Sequence, residues 1–212
     1  MLRWGLYSLR NLWARRVTTA LTVVGLGLVV FVLLAVLMLA QGLERTLGKT
    51  GDPENVIILR KGALSEVGSS LSREEIRAVA AQPDIQLTAD RRPLAVAEVG
   101  LQLTLRKGQG GSLTSVTLRG TAPEALAVRP AIRLIQGRLW KPGTTEIVVG
   151  ASIARQFPDA RVDRVLHFGN WAWTVVGVFE AGGSGFDSEV WGDAEQFLAT
   201  FHRATFSSMT LR

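Results

Sequence analysis

Two incompatible patterns of apolar residues divide the chain. From Val17 to Leu43 no residue carries a charge, a run of 27 positions whose central part, Ala20 to Ala40, has Thr22 as its only strongly polar member. At ~1.5 Å rise per residue, that central part makes a helix of roughly 31 Å, matching a hydrocarbon core of ~30 Å. Buried helices of soluble proteins rarely hold more than ~14 wholly apolar residues in succession. The apolar stretch of a cleaved export signal is also shorter, ~7–15 residues, and ends in a small-x-small site. Leu39-Ala-Gln-Gly42 supplies no clean site of that kind. The pattern predicts a transmembrane helix over 17–43, with its core at 20–40. Ahead of it, Leu2, Leu6, Leu9 and Trp13 fall on one face of a helix. With Trp4, Tyr7 and the basic residues around them, they predict an amphipathic segment over 1–16, lying on a lipid surface.

Beyond Glu44 the texture is that of a folded domain. Asn55-Val-Ile-Ile-Leu-Arg60 has the length and β-branching of a strand, entered from the Gly51-Asp-Pro53 turn. Ser72 followed by Glu75 forms a capping box that opens a helix running to Ala81, before Pro83. Ile85 to Leu87 reads as a second, weaker strand, giving a β-α-β start. Residues 94–119 alternate: Leu101, Leu103 and Leu105 against Gln102, Thr104 and Arg106, then Val116 and Leu118 against Thr117 and Arg119. That alternation predicts a hairpin with one buried face and one wet face, turning through a flexible Gly108–Gly111 loop. Further on come a strand at Glu146–Val149, a short helix to Phe157, and a hairpin from Val165 to Phe179 around Gly169-Asn170. A mobile Gly182–Gly185 loop, a helix capped by Asp193 and a strand over Ser207–Leu211 complete the reading. The fold class is α+β: one transmembrane helix, then a mixed domain.

Charge changes the picture once it is placed. The formal net charge is +6, which would ordinarily suggest nucleic acid. Four of the basic residues, Arg3, Arg10, Arg15 and Arg16, precede the first acid, Glu44; the remaining 20 basic residues face 18 acids, a net of +2. A nearly neutral domain lacks the clustered basic face that phosphate neutralisation requires, so no nucleic acid partner is expected. The arginines serve orientation instead. An excess of Lys/Arg marks the cytoplasmic end of a span, predicting a cytoplasmic N-terminus and an extracytoplasmic domain over 44–212.

Candidate chemistry is sparse. There is no cysteine, hence no disulfide, thiolate nucleophile or Cys-ligated metal. Gly182-Gly-Ser-Gly-Phe186 lacks the fifth-position glycine of a nucleophile elbow. His167 and His202 have no metal-ligand spacing. Asp187, Glu189 and Asp193 read as a solvated patch or a partner contact rather than a catalytic pair. Trp140, Trp171, Trp173 and Trp191 crowd one stretch of sequence and read as core or interface. No catalytic, cofactor-binding or metal residue is assigned, no cofactor is expected, and the chain is not expected to be an enzyme.

A resemblance is carried by short motifs in order. Arg10-Asn-Leu-Trp-Ala-Arg-Arg16 with Thr19-Ala-Leu-Thr22 and Gly25 resembles the entry to the first transmembrane helix of MacB/FtsX-type ABC transporter permeases. The rest is similar to the MacB-like periplasmic core domain, at Asn55-Val-Ile-Ile-Leu-Arg-Lys-Gly62, Leu118-Arg-Gly120 with Pro123, Gly137-Arg138, Glu146-Ile-Val-Val-Gly150 and Val175-Val-Gly-Val-Phe179. The resemblance implies a porter-like subdomain over about 54–132 and 197–212, with a β-rich sabre-like insertion over about 133–196, whose aromatic and acidic stretch becomes a candidate partner surface. It also implies an inner-membrane permease subunit, or the N-terminal half of one, since such permeases have three further membrane helices. A separate ABC ATPase would drive it, with a membrane-fusion or adaptor protein outside and a homodimer as the complete assembly. A single-pass anchored binding or adaptor module is the alternative.

Overall fold

The structure is a computed structural model that describes residues 16–48, 51–88, 90–108 and 111–212. The amphipathic segment expected over 1–16 lies outside these residues apart from Arg16. The chain divides into two compact units, Met1–Arg45 and Thr46–Arg212. The first holds most of helix α1 (Arg16–Gly48), 33 residues long. From Arg16 to Glu44 it is long and apolar enough to cross a membrane, and none of its apolar window is covered by protein. Side chains as large as Phe31 and Leu39 stand in the open. In water such a surface would be unfavourable by ~25 cal/mol per Å² of apolar area.

The second unit is built on one nine-stranded sheet. Its strands are β1 (Val56–Ile58), β2 (Ala95–Arg106), β3 (Leu113–Thr121), β4 (Arg133–Gly137), β5 (Glu146–Gly150), β6 (Val165–Phe168), β7 (Trp171–Glu180), β8 (Glu189–Asp193) and β9 (Ser208–Leu211). The spatial order is β1-β9-β2-β3-β8-β5-β7-β4, with β6 paired to β7. Among the described residues, α1 is followed by α2 (Arg73–Ala80), α3 (Ala125–Val128), α4 (Ala151–Gln156) and α5 (Ala194–Thr200), with a single 3-10 turn at Gly185–Ser188.

The local signals act as their chemistry requires. Ser72 accepts the N–H of Glu75 while Glu75 accepts the N–H of Ser72, so α2 opens on a complete capping box. Asp193 accepts the N–H of Glu195 at the start of α5. Gly169 and Asn170 both take positive φ, 58° and 62°, which fits a two-residue hairpin turn matched to strand twist. The β-α-β start takes a different form from the expected one. Ile85–Leu87 is no strand: Leu87 makes a single bridge to Pro93, and a proline without an N–H cannot extend a ladder. The second strand is β2. Both β1 and β2 run antiparallel to β9, which lies between them, so β1-α2-β2 is a split unit closed by the last strand.

Two large apolar clusters lie on opposite faces of the sheet. One holds Val99, Leu118, Val149, Trp173, Val175 and Phe197, with α4 and α5 contributing to it. The other holds Val96, Val128, Trp140, Val148, Phe179 and Trp191, with α3 contributing. The expected wet face of β2 and β3 is therefore wet only towards the hairpin tip; at its base it is covered. Strand phase also shifts inside β7. Ile147 of β5 pairs with Val175 and Val148 pairs with Gly177, so Val176 is an extra residue that re-aims the strand. A bulge of this kind moves every later side chain to the opposite face. Gly150, ending β5, permits a close approach: a Cβ there would lie 2.3 Å from the carbonyl oxygen of Asp187.

Candidate functional site

The base of that second face carries a layer of charge. Glu98 interrupts the apolar run of β2 and is wholly buried, at 0% exposure. Its carboxylate accepts two bonds from Arg129, at 2.9 and 2.6 Å, and one from Arg119 at 3.1 Å. The hydroxyls of Thr121 (3.0 Å) and Thr210 (3.1 Å) donate to it as well. Arg119, on β3, reaches Glu189 of β8 with a fork of two bonds at 2.8 and 3.0 Å, and Glu66 with a third at 3.0 Å. Glu189 also accepts the indole N–H of Trp191 at 2.7 Å. The layer thus joins β2, β3, β8 and β9 with the segment after α3. Bidentate pairing of this kind fixes geometry as well as charge.

Aromatic rings cap the layer. Phe186 lies 5.3 Å from the Arg119 guanidinium and 5.2 Å from that of Arg129, and Trp191 lies 5.7 Å from Arg129. Phe186 meets Trp191 edge to face at 5.8 Å. The electrostatics follow from burial. Desolvation pushes the Glu98 carboxyl up, but the charges of Arg119 and Arg129 and the bonds it accepts outweigh that, so its pKa is lowered overall. For Arg119, desolvation works against the charge, yet Glu189 and Glu98 hold its pKa well above the ordinary arginine value. Both groups remain ionised. A layer so arranged holds strands in register.

Beside the layer lies a groove of about 770 Å³. Pro53, Ile57, Pro130, Ala131, Ile132 and Phe186 give it apolar walls, and Asp52, Glu66 and Glu189 add carboxylates.

The residues singled out by sequence scatter. Asp187, Glu189 and Asp193 are buried, which corrects the reading of a solvated patch or exposed partner contact. Each has an internal task. Asp187 accepts the N–H groups of Ala181 and Gly183, both at 2.7 Å, holding the Gly182–Gly185 turn that was expected to be mobile. Glu189 pairs with Arg119, and Asp193 binds the N–H of Gly143 besides capping α5. The tryptophans do not gather at one place: Trp173 belongs to one cluster, Trp140 and Trp191 to the other, and Trp171 is exposed. His167 and His202 are both exposed. Among the described residues no group of three or more His, Cys, Asp or Glu could hold a metal ion. Sequence reasoning missed Glu66, Glu98, Arg119 and Arg129. The available signal was a charge inside an apolar run, Leu94-Ala-Val-Ala-Glu-Val-Gly-Leu101, because a buried acid needs a cationic partner.

A helix long and apolar enough to cross a membrane thus precedes an α+β domain stiffened by ionic pairing. The chain matches the model of the MacB-like periplasmic core domain over residues 19–212, and it belongs to that family. Its domain is thus of the kind carried by MacB/FtsX-type ABC transporter permeases. Among solved structures, it is similar to the periplasmic region of MacB from Actinobacillus actinomycetemcomitans, with a TM-score of 0.57 and 17% identity over 76% of this chain and 74% of that one. It is also similar to the extracellular domain of the noncanonic ABC-type transporter YknZ from Gram-positive bacteria, with a TM-score of 0.54 and 16% identity over 74% of this chain and 81% of that one. At such identities the likeness establishes a shared fold. No curated protein sequence matches the chain.

Proposed function

We propose that the chain acts as a permease subunit, or as the N-terminal half of one, in a MacB/FtsX-type ABC transporter. It relays the motion of a separate ABC ATPase to its extracytoplasmic domain for export or release of a substrate. The observation that carries this reading is the family match, which takes in both the apolar helix and the sheet domain. The N-terminus is cytoplasmic, since four arginines and no acid precede the span. A homodimer is the working unit, with a membrane-fusion or adaptor protein outside. The porter-like part corresponds to the β1-β9-β2-β3 end of the sheet and the sabre-like part to the β8-β5-β7-β4 end. The Arg119–Glu189 pair crosses the β3–β8 seam between those ends, and a stiff seam transmits a displacement that a loose one would absorb.

Orientation and partnership are tested separately. The chain has no cysteine, so single reporters are clean. Asn170→Cys reacts with a membrane-impermeant maleimide in intact cells, and Ser8→Cys reacts only after permeabilisation; the reverse result overturns the orientation. In nanodiscs, the chain co-purifies with an ABC ATPase and with a second copy of itself. Recovery of neither leaves the single-pass adaptor module as the better reading.

A further inference from the structure

We propose that the open edge of the sheet at β4, with the basic groove beside it, docks an acidic, extended segment of an extracytoplasmic partner protein, which adds to the sheet as a further strand. β4 pairs with β7 and, among the described residues, with no other strand. No turn or loop hydrogen bond among the described residues involves the backbone of Arg133–Gly137. The outward N–H and C=O groups of such an edge are open to another strand. Ile135, in the middle of β4, is 56% exposed and offers an incoming strand an apolar contact.

A groove of about 460 Å³ lies beside this edge, within the ~300–1,000 Å³ of ligand sites. Val178 of β7, Ala151 and Ala154 of α4, Val162 and Ile135 supply its apolar lining. A pleated strand directs alternate side chains to one face, so a segment laid along β4 places every second side chain over this groove.

Charge defines the segment. Arg155 and Arg161 line the groove and no acid does. Both are exposed. Arg155 spends one N–H on the hydroxyl of Ser152 at 3.2 Å, and neither guanidinium is among the ion pairs of the described residues. Arg73, Arg119, Arg129, Arg138 and Arg212, by contrast, all hold carboxylates. The acids flanking Arg161 in sequence, Asp159 and Asp163, do not line the groove, and Glu180 stands opposite Arg133 at the far end of the strand. Two planar forks of N–H donors are therefore left for carboxylates from outside.

The same features select against the wrong strand. Bulges and charges protect an edge from indiscriminate pairing, and β4 has a register shift between Leu134 and Gln136 beside its arginines. A second copy of this chain would bring like charges together, whereas an acidic strand turns that repulsion into attraction. The proposal rests on the reading of an extracytoplasmic domain with a protein partner. Peptide binding to the isolated chain needs neither ATPase nor orientation, so its failure is distinguishable from a failure of the labelling and co-purification tests above.

The test uses the full chain in phosphatidylcholine nanodiscs and fluorescence anisotropy of a labelled peptide, acetyl-Asp-Val-Glu-Val-Glu-Val-Asp-amide. Two controls accompany it: the same peptide with lysine at every acidic position, and the acidic peptide N-methylated at its three central residues, which keeps the charge and blocks backbone pairing. The acidic peptide binds saturably, one per chain; the lysine peptide does not bind, and N-methylation weakens binding at least ~10-fold, as loss of several backbone hydrogen bonds requires. Arg155→Gln with Arg161→Gln weakens the acidic peptide ~10-fold, about 3-fold for each screened charge, and Arg155→Lys with Arg161→Lys restores most of it. Ile135→Asp, a change at an exposed position, abolishes binding. Equal affinity for the N-methylated peptide overturns the proposal, as does an affinity unmoved by the double glutamine variant. Dihexanoylphosphatidylglycerol that binds through the two arginines while the acidic peptide does not overturns it in favour of an anionic lipid.

Discussion

The molecule contains two kinds of arginine–glutamate pairing that look alike by distance and differ in consequence. In the sheet, Glu98 meets Arg129 at 2.6 Å and Arg119 meets Glu189 at 2.8 Å. On the surface, Arg138 meets Glu146 and Arg73 meets Glu195, both at 2.5 Å. The shorter contacts belong to the weaker class. Each surface pair keeps at least one side chain about half exposed, so water screens the attraction. The buried partners gave up hydration that the opposite charge, helped by a few neutral donors, replaces, so each depends on the other to a degree that no distance conveys.

The difference can be broken most sharply at Glu98. Glu98→Ala leaves Arg129 without its bidentate partner and weakens the compensation of Arg119. The loss should be ~3–5 kcal/mol of stability, read by denaturant titration. A loss under ~1 kcal/mol would place the buried layer in the surface class. Converting Glu98 to Leu together with Arg129→Met should cost less than either single change, because charge and counter-charge leave together. Additive losses in that double-mutant cycle would show the two side chains to be independent.

Acid sharpens the contrast next. The hydrogen bond from Arg138 holds the Glu146 carboxyl at about 2, against a desolvation that would raise it. With a lowered folded-state value, its stabilising contribution is complete above the ordinary glutamate value of 4.5 and is lost as the pH falls from there through about 2. Arg138→Met moves the midpoint of Glu146 back towards the ordinary glutamate range, seen in a carboxyl-detected NMR titration. It also flattens the acid limb of the stability profile. A midpoint that does not move would show that the pairing is absent in solution. The smallest effect belongs to the Arg73–Glu195 pair, where Arg73→Ala should change stability by no more than ~1 kcal/mol, with high salt erasing most of the change.

How much of this was legible beforehand depends on the range of the cause. The capping box at Ser72 and Glu75, the cap at Asp193 and the Gly169-Asn170 turn were readable because each is complete within four residues. Glu98, Arg119 and Arg129 were not recognised as a set, since nothing local says that residues 98, 119, 129, 189 and 210 meet. Asp187, Glu189 and Asp193 were misread for the same reason: three acids close in sequence look solvated until their partners, at Ala181, Arg119 and Gly143, are known. The Ile85–Leu87 strand failed in the opposite direction. Its β-branched start is a real propensity, but Pro93 across from it cannot continue a ladder.

By itself the sequence determined the apolar helix, the charge asymmetry across it, the strand and helix segments with their caps, and the family likeness. All of these are carried by periodicity, length or short ordered motifs. Only the tertiary structure decided that β9 inserts between β1 and β2, that Val176 shifts the phase of β7, and that the second face of β2 and β3 is closed over an ionic layer. Those outcomes rest on contacts between residues far apart in the chain. Side chains whose partners are a hundred positions away take their burial, their charge state and their role from the packing around them.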